Sequence, residues 1–148
     1  MYVVIENIEM ISFCSIPLHS CLMNASGCYS SSIEQINRLD NVKSCSLIVS
    51  KSCTVMPQNG NDLPRLYLDE NLTLNSMGLP NFDCEYYSNI ITNKPYIQSI
   101  YPKNINDLDK LFDTNSNIIE VNMSCPNVLS SHDVNDYERY LYRIYTLK

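Results

Sequence analysis

Apolar positions along this chain change their period repeatedly, and each change marks a new element. The run "CLMN" (21–24) ends in "ASG", the pattern of a strand entering a turn. In "SSSIEQINRLDN", Ile33, Ile36 and Leu39 fall at helical spacing, with Ser30, Ser31 and Ser32 available to cap the helix they predict. "SCSLIVSKS" (44–52) is continuously apolar and β-branched at its centre, as a strand covered on both faces must be. Residues 53–81 carry Pro57, Gly60, Pro64, Gly78 and Pro80 and predict a long loop with room for a hairpin. Loops of that length inside a domain are usually functional.

A short helix is expected over 82–92 and a third strand in "PYIQSIYP" (95–102). "NINDLDKLFD" (104–113) places Ile105, Leu108, Leu111 and Phe112 on one helical face, with Asn104 or Asn106 as its cap. "SNIIEVNMS" (116–124) reads as a fourth strand and "DVNDYERYLYRIYTL" (133–147) as a final helix. Strand and helix thus alternate four times, which calls for a parallel sheet with helices outside it, in one domain over 1–148. Functional groups in such folds gather at the carboxyl ends of the strands. The polar clusters "NASG", "SKSCT" and "NMSCPN" all follow strands there.

Composition narrows the function. The chain has 148 residues, 45% of them hydrophobic and 18% charged, with a net charge of −6, as a globular domain does. The acidic balance and the lack of a Lys/Arg run exclude a phosphate-backbone partner, so no nucleic acid is expected. No stretch of about 18 apolar residues predicts a membrane span. Glu6 and Glu9 stand where a secretory leader carries basic residues, so a cytoplasmic location is expected. The seven cysteines form no CxxC pair, which suits neither a disulfide framework nor a metal site; apart from Cys125 they are expected to be reduced and mostly buried. His19 and His132 read as solvated imidazoles, and Tyr137, Tyr140, Tyr142 and Tyr145 on the last helix as an interface stripe.

The segments "MNASG" (23–27), "SKSCT" (50–54), "NGNDLPR" (59–65), "NSMGLPN" (75–81) and "VNMSCPN" (121–127) are similar, in order and spacing, to those of dihydroorotate dehydrogenases, the FMN enzymes of pyrimidine synthesis. Cys125 resembles the base of the soluble class 1A enzymes, where the class 2 membrane enzymes use serine. The resemblance implies that dihydroorotate loses a proton to Cys125 and a hydride to FMN, giving orotate. Lys51 matches the family lysine that lies against flavin and substrate. By the same resemblance Asn75, Asn122 and Asn127 bind the substrate, as do the backbone N–H groups of Met77, Gly78 and Leu79. Ala25, Ser26, Gly27, Lys51, Ser52 and Asn122 line the flavin.

The family fold is an eight-stranded TIM (β/α)8 barrel of roughly 300 residues. The four βα units here correspond to its N-terminal half, and the flavin-phosphate loops that follow the last two strands of the barrel fall outside it. A homodimer or a complementary half-barrel chain is therefore expected to complete the site. Two alternatives remain: an inactive half-barrel kept for protein contacts, and a pyrimidine-binding module built on the asparagine-rich loops.

Overall fold

The computed structural model describes residues 11–128 and 136–147. It opens with a hairpin of β1 (Ile11–Phe13) and β2 (Ile16–Leu18), paired antiparallel. This hairpin is not signalled in the sequence, for a physical reason. Its turn residues Cys14 and Ser15 have φ of +49° and +64°, a conformation normally signalled by Gly or Asn.

The next strand, β3 (Leu22–Met23), leads through the "NASG" turn to α1 (Ile33–Asp40). Ser32 caps α1 by accepting from Gln35 N at 3.4 Å, and Ile36 on its inner face is fully buried. Then comes β4 (Cys45–Val49), buried at every residue. Within the long loop lies the hairpin β5 (Leu66–Leu68) and β6 (Thr73–Asn75), followed by α2 (Cys84–Ser88). Asp83 accepts from Tyr86 N at 2.7 Å to cap α2.

The chain continues with β7 (Tyr96–Ile100), α3 (Asp107–Leu111), β8 (Ile118–Val121) and α4 (Asp136–Thr146). Asn106 occupies the cap position of α3 without a side-chain bond. The turn is closed instead by Asp107, whose carboxylate accepts from Lys103 N at 2.9 Å and from Asn104 Nδ2 at 2.9 Å.

β3, β4, β7 and β8 form one four-stranded parallel sheet in that order, as the alternation predicts. Alternate residues serve two faces. Ile48, Ile100 and Cys53 meet Ile36, Tyr87, Leu108, Leu111 and Tyr140 on the helix side. Leu47, Val49 and Ile97 cluster on the other side with Ile118 and with Leu18 of β2. The sheet is open: β3 forms one edge, with Leu22 57% and Met23 56% exposed, and β8 the other.

Two expectations need correction. Of the six cysteines expected to be mostly buried, Cys45, Cys53 and Cys84 are, but Cys14, Cys21 and Cys28 are exposed, because they flank the hairpin turn and the uncovered edge strand. All seven are free thiols. The tyrosine stripe divides: Tyr140 packs into the core while Tyr142 and Tyr145 face solvent. His132 lies outside the described residues.

Burial of the core thiol makes the fold sensitive to alkali. Burial pushes Cys53 up to about 12, and the hydroxyls of Tyr87 and Tyr96 rise for the same reason. Above the ordinary thiol value the unfolded chain has released a proton that folded Cys53 still holds, so stability falls as pH rises through that window. We expect an unfolding free energy constant near neutrality and lower by up to roughly 4 kcal/mol at pH values around 11 to 12, the tyrosines adding to the loss. Chemical denaturation followed against pH checks this. In Cys53→Ala the decline should be shallower, and an identical slope would remove Cys53 as its cause.

Candidate active site at the carboxyl edge of the sheet

Where the strands end, their polar followers meet in a continuous row. Asn24, just past β3, extends the sheet with its side chain: Oδ1 accepts from Val49 N at 2.9 Å and Nδ2 donates to Val49 O at 2.7 Å. The amide does there what a further residue of strand would do, and the "ASG" turn is free to leave the sheet. Cys28 N donates to Ala25 O at 3.0 Å to close that turn.

Gly27 sits in the turn at φ +78°, and a Cβ on it would stand 3.4 Å from Lys51 Cδ and 3.5 Å from Nζ. The Lys51 side chain therefore lies along Gly27. Ser26 Oγ is 3.0 Å from Ser52 Oγ, which is 2.9 Å from Ser99 Oγ; Asn122 Nδ2 donates to Ser52 Oγ at 3.0 Å. The row ends at Glu120, whose Oε1 accepts from Ser99 at 2.6 Å. Ser99 and Glu120 are neighbours in register on β7 and β8.

A second polar group assembles beside it from the loop and the segment after β8. Asn127 Nδ2 donates to Asn75 Oδ1 at 2.8 Å, and Asn61 Nδ2 donates to Ser76 Oγ at 2.9 Å and lies 3.3 Å from Asn127 O. Asn61 N donates to Met77 O at 3.0 Å. Gly78 and Leu79 are buried at positive φ, +71° and +54°. Among the described residues the N–H groups of Met77, Gly78 and Leu79 make no hydrogen bond to the protein.

Cys125 lies between the two groups in sequence, half-buried, in a turn closed by Val128 N donating to its carbonyl at 3.2 Å. Burial holds the Lys51 ammonium below the ordinary lysine range, while the Cys125 and Cys53 sulfurs, when ionised, act the other way. Lys51 and Cys125 are thus electrostatic neighbours.

All twelve residues singled out from the sequence fall in these two groups or in the turn that joins them. Asn24, Asn61 and Asn81, from the quoted motifs but given no site role, join them, and Ser99 and Glu120 join them unannounced. The available signal for Ser99 was a small polar residue inside the apolar strand "YIQSI". Nothing in the sequence pointed to Glu120, which reads as the outward residue of a strand.

A parallel α/β sheet with a lysine, a cysteine and clustered amides at its carboxyl edge defines the class: an α/β protein with polar side chains gathered at its strand ends. The sequence model of the dihydroorotate dehydrogenase family matches residues 10–146, and the chain belongs to that family. It is 37% identical over 123 residues to "Dihydroorotate dehydrogenase (fumarate)" of Saccharomyces cerevisiae, covering 72% of this chain and 38% of that protein. It is similarly 37% identical over 120 residues to the Saccharomyces paradoxus protein of that name, covering 72% and 38%. To "Dihydroorotate dehydrogenase A (fumarate)" of Lactococcus lactis subsp. cremoris it is 34% identical over 142 residues, covering 84% and 45%. The chain spans about two fifths of the length of these curated relatives. No helix among the described residues is long and apolar enough to cross a membrane.

Proposed function

We propose that this chain supplies the lysine and cysteine side of a dihydroorotate dehydrogenase centre, oxidising dihydroorotate to orotate with FMN in a barrel completed by a second copy or a complementary chain. One observation carries the proposal: a partly buried Lys51 ammonium lies along Gly27, beside Ser52 and its Asn122 partner, within electrostatic reach of the Cys125 thiol. An ammonium, hydroxyls and a carboxamide at one edge suit the alternating donors and acceptors of a flavin ring. Ala25, Ser26, Gly27, Lys51, Ser52 and Asn122 would hold it. FMN, when bound, supplies the hydride acceptor.

The chain's own residues supply the rest. Cys125 takes the proton from the carbon beside the substrate carbonyl, with the Lys51 ammonium as its electrostatic neighbour. Cys53 is excluded from that role, being buried and held to about 12. The Asn75–Asn127 pair, with Asn122, presents amide donors and acceptors to the ring of the substrate. The unbonded N–H groups of Met77, Gly78 and Leu79 suit its carboxylate.

The test is the visible spectrum of the purified protein with added FMN and then dihydroorotate. A flavin band that bleaches on adding dihydroorotate supports the proposal, with bleaching slowed about 100-fold or more in Cys125→Ser near neutral pH. Protein that retains no flavin, either alone or mixed with a complementary half-barrel chain, refutes it. The uncovered strand edges and the exposed Leu66, Leu68 and Leu74 of the β5–β6 hairpin favour a second reading, a half-barrel kept for protein contacts. Colourless protein that assembles with itself or a partner would support that one, and colourless protein that responds to orotate a pyrimidine-binding module.

A further inference from the structure

The row of hydroxyls at the sheet edge has a direction, and a carboxylate sets it. An ionised Glu120 can only accept, so Ser99 spends its single proton on Oε1 at 2.6 Å. Toward Ser52, at 2.9 Å, Ser99 is then an acceptor. Ser52 must donate to Ser99, and its lone pairs receive the Asn122 Nδ2 proton at 3.0 Å and face Ser26 Oγ at 3.0 Å. Within the protein, Ser26 can direct its own proton toward Ser52 or toward Ser50 O at 2.9 Å. Asn122 is fixed in turn, with Nδ2 on Ser52 and Oδ1 accepting from Ser124 N at 3.2 Å.

Ser52 and Ser99 are 1% and 0% exposed, so water cannot repair a reversed bond between them. Glu120 itself is exposed. We propose that Glu120 is a positioning residue: acting through Ser99, it fixes which way the Ser52 hydroxyl points, and through Ser52 how the Asn122 amide and the Ser26 hydroxyl are held for a bound ligand. For the identity of that ligand, and only for that, the inference rests on the flavin reading above.

Two variants of similar length separate orientation from bulk. In Glu120→Met no acceptor remains, and the buried Ser99 proton has Ser52 to turn to. Ser52 must then donate outward, to Ser26 Oγ or to Asn122, so the hydroxyl that the Asn122 amide meets has reversed its direction. Glu120→Gln keeps an acceptor oxygen for Ser99 and should preserve the wild-type direction. The first readout needs no ligand: the Asn122 side-chain amide signals in nitrogen-15 correlated NMR of the whole chain. They should move in Glu120→Met and return to the wild-type position in Glu120→Gln.

The second readout is FMN affinity by titration, expected to fall about tenfold in Glu120→Met, as for the loss of one oriented polar contact, and to recover in Glu120→Gln. Asn122 signals unchanged by Glu120→Met would overturn the proposal. So would wild-type affinity for FMN in that variant. If the wild-type chain binds no FMN but the Asn122 signals behave as described, the flavin reading fails while the role of Glu120 stands.

Discussion

Gly78→Ala is expected to destabilise the fold by about 3 kcal/mol, and by more if the loop cannot shift. Two causes act together. The residue sits at φ +71°, where any Cβ costs roughly 1 to 2 kcal/mol. That Cβ would also stand 2.5 Å from the backbone nitrogen of Asn61 and 2.4 Å from its Oδ1. A backbone neighbour cannot swing aside as a long side chain can. Relief requires separating residues 59–61 from 75–81, which breaks the bond from Asn61 N to Met77 O. Asn61 also lies against Asn127 O, so the disturbance reaches the segment after Cys125. Urea denaturation gives the stability, and limited proteolysis shows whether the loop opens. A variant as stable as wild type and equally resistant would mean that the two segments are not strapped together at Gly78.

Asn81→Ala should cost a similar amount, roughly 2 to 4 kcal/mol, by a different route. Asn81 is 8% exposed and ties the end of "NSMGLPN" to the residues after β4. Its Oδ1 accepts from Thr54 N at 3.1 Å, and its Nδ2 donates to Leu79 O at 2.9 Å and to Thr54 Oγ1 at 3.2 Å. Truncation leaves Thr54 N and Leu79 O buried without these partners, and such a desolvated group costs more than the bond it lost. Asn81→Asp keeps the acceptor for Thr54 N and loses the donor to Leu79 O, so its loss should be intermediate. Equal stability of all three proteins by urea denaturation would show that solvent satisfies these groups, contrary to their burial. Since Leu79 is held at φ +54°, the alanine variant should also release the backbone whose N–H groups we propose for the substrate carboxylate.

The two variants bear on one question, how a long loop can be both irregular and fixed. Residues 53–81 contain little regular structure beyond the β5–β6 hairpin, yet Asn61 and Asn81 replace the missing ladder with side-chain amides. Asn24 does the same for the turn after β3. Short amides are well suited to this, since each carries both a donor and an acceptor and can pair with backbone on either side. The abundance of asparagine around the site therefore has a structural use beside the binding roles proposed for Asn75, Asn122 and Asn127.

Much of this was legible along the chain because the relevant physics is local. The continuous apolar run at 45–49 had to be covered on both sides, and β4 is; the period of Ile33, Ile36 and Leu39 with a serine before it had to give a capped helix, and α1 is one. Alternation of strand and helix then left a parallel sheet as the consistent arrangement, which put the three polar clusters at one edge. The β1–β2 hairpin was not legible, because Cys14 and Ser15 adopt positive φ without the residues that usually announce it. Nor was the split of the cysteines into three buried and three exposed, or the burial of Tyr140 beside exposed Tyr142 and Tyr145, since burial depends on which neighbours arrive from elsewhere in the chain.

By itself, then, the sequence determined the alternation of strands and helices from β3 onward, the family, and the residue types of the site, because periodicity, capping and motif spacing act over a few residues. Only the tertiary structure decided that Lys51 lies along Gly27, that Asn127 meets Asn75, and that Glu120 terminates a row running through Ser99 and Ser52. Those contacts join residues 21 to 52 positions apart, and their geometry follows from strand register and loop closure, which no local pattern encodes.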